Sequence, residues 1–238
     1  MKDFFVILGG MGTMATESYI HLLNKRTPAK RDQDYLNYIL VNHATIPDRT
    51  EYILDSSKPN PAEDLANDIK QLLPLRPSFF TLPCNTAHFF FDELQAITDI
   101  PILHMPREAV KSISKQFPHA RRIGVVGTRG TRVDHVYEDE IIKSGYEYVQ
   151  PPEYIQKLTD TLIYTDIKEQ DYVDGELFKT IIQRMINEEK CDVVILGCTE
   201  LSLAQERCPI EGFPIIDGQS VLVDKTLECA LEFRANRC

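Results

Sequence analysis

A strand with a glycine loop at its end, followed at a fixed remove by a strand with a cysteine at its end, occurs twice in this chain. That repetition limits the fold more than any other feature. Phe4–Thr13 reads FFVILGGMGT and Arg122–Thr131 reads RIGVVGTRGT. Downstream, Phe79–His88 reads FFTLPCNTAH and Asp192–Leu201 reads DVVILGCTEL. Gly10 precedes Cys84 by 74 positions and Gly127 precedes Cys198 by 71. Two similar halves, each ending a buried strand on a thiol, imply a site with one reactive sulfur on each side.

Short apolar runs predict strands over Phe4–Leu8, Tyr38–Val41, Ser78–Leu82, Ile102–His104, Ile123–Gly127, Tyr146–Val149, Val193–Gly197 and Pro214–Asp217. Most are continuous rather than alternating, as strands covered on both faces are. Helix-length segments separate them. The clearest begins at Asn60, where an N-cap residue precedes Pro61, with Glu63 two residues beyond and an apolar series Leu65, Ile69, Leu72 and Leu73. Gln183–Glu189 and Val221–Phe233 also carry helical patterns. Alternating strands and helices predict an α/β fold with parallel sheets. The repeat favours two sheets of about four strands: residues 1–105 plus 210–238 forming one domain with Cys84, and 106–209 forming the other with Cys198. The last strand and helix are left over, and are expected to cross back to the first domain. Ligands of open parallel sheets bind beyond the carboxyl ends of the strands, where both cysteines fall.

The chain has 238 residues, 43% apolar and 26% charged, with a net charge of −10. It has no basic stretch to neutralise phosphates, which argues against nucleic acid. Nor is there an apolar run of the ~20 residues that span a bilayer. Met1-Lys2-Asp3 leads straight into a strand with no signal-peptide pattern, so a cytoplasmic setting is expected. There the cysteines at 84, 191, 198, 208, 229 and 238, which include no CxxC pair, are expected to be thiols.

The loop Gly9-Gly10-Met11-Gly12-Thr13-Met14-Ala15 matches the dinucleotide fingerprint GxGxxA. The second strand, however, ends Val41-Asn42-His43 without the acidic residue that would hold a ribose, which argues against NAD. The loop still suits a carboxylate, because backbone N–H groups at a helix start attract anions. A cysteine taken singly is usually an inert core residue. One at a helix start with Asn or Thr donors beside it has its thiolate stabilised, which singles out Cys84 and Cys198. Cys191, Cys208, Cys229 and Cys238 lack such a setting. The spacing of Cys191, Cys198 and Cys208 fits no common zinc pattern, so no metal is expected. His88, four residues after Cys84, either orients or protonates a group in the site or is a histidine satisfied by a neighbour. Arg49 and Lys168 are undistinguished by pattern alone.

GGMGTMAT, PCNTAH and GCTEL, in this order and separation, resemble the aspartate/glutamate racemases, the cofactor-independent amino-acid racemases. The resemblance implies two flavodoxin-like α/β/α domains related by pseudo-twofold symmetry, an active site in the cleft between them, and a homodimer. It implies that Cys84 and Cys198 are catalytic and that Arg49 and Lys168 meet substrate carboxylates. Gly10, Met11, Gly12, Asn85, Thr86, Thr128, Thr199 and Glu200 would line the site. Thr13 replaces a proline common among relatives. Glu200 stands where peptidoglycan-supplying glutamate racemases carry histidine, which points to the aspartate branch. The implied substrate is an acidic amino acid, aspartate before glutamate, with no cofactor. Rival expectations are a maleate-type isomerase or malonate-type decarboxylase in the same wider superfamily, and a non-catalytic amino-acid sensor. A thiol oxidoreductase is disfavoured by the missing CxxC.

Overall fold

The computed structural model describes residues 1–235, and Cys238 lies outside the described residues. The chain forms two compact units, Met1–Met105 with the residues from Gln219 onward, and Pro106–Gly218. Each holds one four-stranded sheet in which every pairing is parallel.

The strands of the first unit are β1 (Phe4–Gly9), β2 (Asn37–Asn42), β3 (Phe80–Thr81) and β4 (Ile102–Leu103), in the order β2-β1-β3-β4. Its helices before the crossing are α1 (Thr13–Arg26), α2 (Arg49–Leu54), α3 (Pro61–Leu72) and α4 (Phe91–Gln95), and α5 (Met105–Gln116) begins at the last residue of its first segment. Register runs Phe4↔Asn37 through Gly9↔Asn42, and Val6↔Phe80. All six residues of β1 are buried because the strand is inside the sheet and covered on both faces. Alternation divides them: Phe4, Val6 and Leu8 pack with Leu65 and Ile69 of α3, while Phe5 and Ile7 pack with Tyr19 and Leu23 of α1. Asn60 caps α3 as its position predicts, Oδ1 accepting from Ala62 N at 3.0 Å, a contact of about 1 kcal/mol.

The second unit repeats the order with β5 (Arg122–Gly127), β6 (Glu147–Val149), β7 (Val193–Gly197) and β8 (Ile215–Asp217), arranged β6-β5-β7-β8. Its further helices are α6 (Arg129–Val133), α7 (Val136–Lys143), α8 (Glu153–Asp160), α9 (Gly175–Asn187) and α10 (Thr199–Arg207). A nine-residue π-helical stretch, Thr161–Glu169, continues α8. Val194 and Leu196 of β7 pack on Ile155, Phe178, Ile181 and Met185. Gly127 is required by the close approach of β7: a Cβ there would lie 2.7 Å from the Gly197 carbonyl oxygen.

All eight expected strands form, with no end shifted by more than two residues. The last one corrects the expected course of residues 210–218. Ile215–Asp217 does not return to the first sheet but pairs with β7, Val194↔Ile215 to Leu196↔Asp217. The side of β7 away from β5 offers unpaired N–H and C=O groups, and the adjacent apolar segment satisfies them. The return to the first unit starts at Gln219, inside α11 (Gly218–Ala235). There Leu222 and Val223 join Phe5, Ile7 and Phe79, and Tyr19 Oη lies 2.6 Å from Thr226 Oγ1 and 3.1 Å from Thr81 Oγ1. Among the described residues no helix is long and apolar enough to cross a membrane.

Candidate active site

The residues singled out by sequence gather at the carboxyl ends of the strands in each unit. In the first, β1 opens into Gly10-Met11-Gly12. Gly10 has φ +95°, and a Cβ there would stand 2.6 Å from the His43 backbone, so the loop needs glycine. Thr16 holds it: its hydroxyl accepts from Gly10 N at 3.0 Å and donates to Gly12 O at 2.8 Å. Thr16 was not singled out by sequence, although its place one turn after Gly12 on α1 is the available signal.

Arg49 opens α2, whose cap is the Asp48 carboxylate accepting from Glu51 N at 2.9 Å. Its guanidinium donates to Pro47 O at 3.1 Å and reaches Ile46 O at 3.5 Å and Met11 O at 3.4 Å. It therefore ties the loop after β2 to the loop after β1. Cys84 is buried, shares a cluster with Met11 and Ile46, and is followed by buried Asn85 and Thr86. The helical turn after it is the 3-10 segment Thr86–Phe90 rather than an α-helix.

In the second unit Cys198 is the N-cap residue of α10. Its thiol donates to Glu200 Oε2 at 2.8 Å, and the Thr199 hydroxyl reaches the same oxygen at 3.4 Å. Lys168 Nζ lies 3.7 Å from the other oxygen, Oε1, and 4.8 Å from the centre of the Tyr164 ring. Lys168, Glu200, Thr199 and Cys198 thus form one chain of contacts. Burial first, then the Glu200 carboxylate, pushes the Cys198 thiol well above the ordinary cysteine range, against a downward pull from Lys168. Cys198 rests as a thiol. Lys168 is presented by the π-helical stretch, a geometry that recurs at functional sites. Tyr164, one turn before it, is a neighbour of Lys168 that the sequence reading did not single out.

Thr128, expected to line the site, caps α6 by accepting from Thr131 N at 3.1 Å. The Thr131 hydroxyl in turn reaches Gly197 O at 3.4 Å, next to Cys198. Tyr137 is fully buried nearby. Burial, then Asp217, Asp134 and Cys198, holds its phenol protonated far above the usual range.

His88 has both ring nitrogens engaged by the backbone: its Nδ1 lies 2.8 Å from Cys84 O and its Nε2 accepts from Met105 N at 3.0 Å, so it is satisfied by neighbours and one of those neighbours is Cys84 itself.

Each unit is therefore a parallel α/β sheet with a cysteine just beyond the carboxyl end of its third strand in sequence. A profile of the Asp/Glu/Hydantoin racemase family matches residues 8–226, and the chain belongs to that family, a class of isomerases. It is 26% identical over 236 residues to the broad specificity amino-acid racemase RacX of Bacillus subtilis, covering 96% of this chain and 99% of RacX. The Picrophilus torridus aspartate racemase shares its fold with a TM-score of 0.80 at 25% identity, over 97% of both chains. A glutamate racemase of Francisella tularensis, solved with D-glutamate, matches with a TM-score of 0.67 at 17% identity, over 97% of this chain and 81% of that one.

Proposed function

We propose that the protein racemises an acidic amino acid, aspartate first and glutamate second, without a cofactor, using Cys84 and Cys198 as two acid/base groups. The observation that carries this reading is topological. The two cysteines follow β3 and β7, the third strand in sequence of sheets with the same strand order. The reading places them on opposite faces of one substrate. One thiolate takes the α-proton, the Cα–H electron pair passes onto Cα and its carboxylate, and the opposite thiol returns a proton to the other face. The two sulfurs then hold exchanged protonation states, ready for the reverse reaction.

Removing an α-proton with a thiol of reference pKa about 8.5 is hard. The substrate ammonium and cations near its carboxylate lower the barrier in a dry site. Arg49 and Lys168 are assigned to the carboxylates, and the Gly10–Gly12 amides with Asn85, Thr86 and Thr199 to the remaining polar groups. Cys198 takes the proton of the L-enantiomer and Cys84 that of the D-enantiomer. The reading includes a homodimer in the cytoplasm, where the free thiols at Cys84 and Cys198 stay reduced. A wider substrate range is a second reading, favoured by the similarity to the broad specificity racemase.

Proton NMR of D- and L-amino acids incubated with the enzyme in D2O tests both. Aspartate is expected to lose its α-proton signal fastest. Cys84→Ser is expected to exchange only the L-enantiomer and Cys198→Ser only the D-enantiomer, neither inverting it. Racemisation by either variant at a near wild-type rate overturns the two-thiol mechanism. Equal loss across neutral amino acids moves the substrate assignment to the wider range.

A further inference from the structure

We infer that His88 is a positioning residue for Cys84, fixing that thiol by gripping its own backbone carbonyl. This rests on the reading of Cys84 as an acid/base group. His88 sits on the 3-10 turn after Cys84 and is almost wholly buried, beside His104 (centroid 5.1 Å) and Phe91 (6.3 Å). Its tautomer follows from its partners, whose polarity is fixed. Met105 N–H can only donate, so Nε2 carries the lone pair. Cys84 O can only accept, so the proton is on Nδ1, which donates to it at 2.8 Å. Leu103 O, at 3.4 Å from Nε2, is the weaker neighbour.

The other half of the chain shows what this bond replaces. After Cys198 an α-helix begins at once, and the Cys198 carbonyl accepts from Leu201 N at 3.0 Å and Ser202 N at 3.3 Å. After Cys84 the 3-10 turn starts one residue later, and His88 N bonds Asn85 O instead. The imidazole does for Cys84 what two helix amides do for Cys198. Cys84 N also donates to Leu82 O at 2.8 Å, so the backbone is held on both sides of the residue that bears the sulfur. The far end of the imidazole anchors to the first residue of α5, where the chain leaves the first unit.

Two measurements test this. Imidazole 15N NMR of the wild-type protein is expected to show His88 with a protonated Nδ1 and a bare Nε2; a protonated Nε2 overturns the proposal whatever the mechanism. Side-chain variants are then placed in the single-thiol enzymes. Asn sets its amide N–H where Nδ1–H lies, whereas Gln reaches only toward Met105. In the Cys198→Ser enzyme, His88→Gln and His88→Ala are expected to slow exchange of D-aspartate roughly 10- to 100-fold, the scale of a misplaced reacting group, and His88→Asn to recover most of it. In the Cys84→Ser enzyme, exchange of L-aspartate should change less than about twofold with any of them, because Cys198 is held by its own helix. Equal loss of both exchanges, or His88→Asn as damaged as His88→Ala, overturns the proposal. If the parent single-thiol enzymes are not one-sided, the two-thiol reading fails instead, and the NMR result still decides the grip on Cys84.

Discussion

The thiol of Cys198 donates to a carboxylate only two residues along the same chain, Glu200 Oε2 at 2.8 Å. The contact is possible because Cys198 caps α10 and Glu200 lies in its first turn. Glu200 raises the Cys198 thiol, second only to burial, and Lys168 draws it down. Glu200→Gln removes the negative charge, so thiolate should form at lower pH. In the Cys84→Ser enzyme, the pH profile of L-aspartate exchange is expected to move to lower pH. Lys168→Met should move it higher. A profile that stays put in both variants would show that neither charge governs this thiol.

Arg49 makes its bonds to the carbonyls of Met11, Ile46 and Pro47, so its removal should be felt twice. Arg49→Ala is expected to raise the KM for aspartate by about tenfold or more, the effect of a charge-assisted contact worth roughly 1.5–3 kcal/mol. It should also lower the melting temperature, because two loops lose their tie. A variant with normal kinetics but a lowered melting temperature would remove Arg49 from substrate binding and leave it a structural role.

Asp134 gives a stability test that does not depend on turnover. Burial lifts its carboxyl to about 8, with only the Val136 amide, donating to Oδ1 at 3.0 Å, opposing. Its Oδ2 is enclosed without a hydrogen-bond partner. A folded-state value above the unfolded one means that the folded protein holds the extra proton. The stability this confers is full below the unfolded carboxylate range near 4 and is lost as pH rises through about 8. Asp134→Asn should therefore flatten the fall in melting temperature across that window and exceed wild type at its alkaline end. Parallel curves for the two proteins would contradict this.

Cys191 should be the least reactive of the described thiols outside the site. Burial raises it to about 12, and it lies under Gly124, where an added Cβ would come within 2.8 Å of its sulfur. Alkylation of the native protein followed by peptide mass spectrometry is expected to label the half-exposed Cys208 and Cys229 first. Early labelling of Cys191 would mean that the segment leading into β7 opens readily.

What the sequence made legible was carried by local signals. β1, β5 and β7 are continuous apolar runs, and Asn60 with Pro61 announces α3 by the chemistry of its first turn. The partner of β8 was not legible, because Ile215-Ile216 suits the edge of any parallel sheet and only the spatial neighbour decides. α9 starts at Gly175, well before the predicted Gln183, since the cap that starts it is Asp174, accepting from Leu177 N. The cysteines could be read from the repeat. The pairing of Lys168 with Glu200 could not, because it depends on a π-helical stretch that leaves no periodic mark. His88 was ambiguous for a related reason: a histidine's role is set by which groups face its two nitrogens, and Met105 N is 17 residues away.

The return of α11 to the first unit has a consequence for the order in which the chain can settle during synthesis. The residues of the second unit, 106–218, emerge from the ribosome as one continuous stretch, between the two segments that build the first. At ordinary translation rates that interval is on the order of ten seconds. Throughout it Tyr19 and Thr81 wait for Thr226, and Phe5 and Ile7 for Leu222 and Val223. The half that is made first is thus the half completed last, and a nascent chain halted before α11 would carry a finished second sheet and a first sheet whose α1-side face lacks part of its apolar cover.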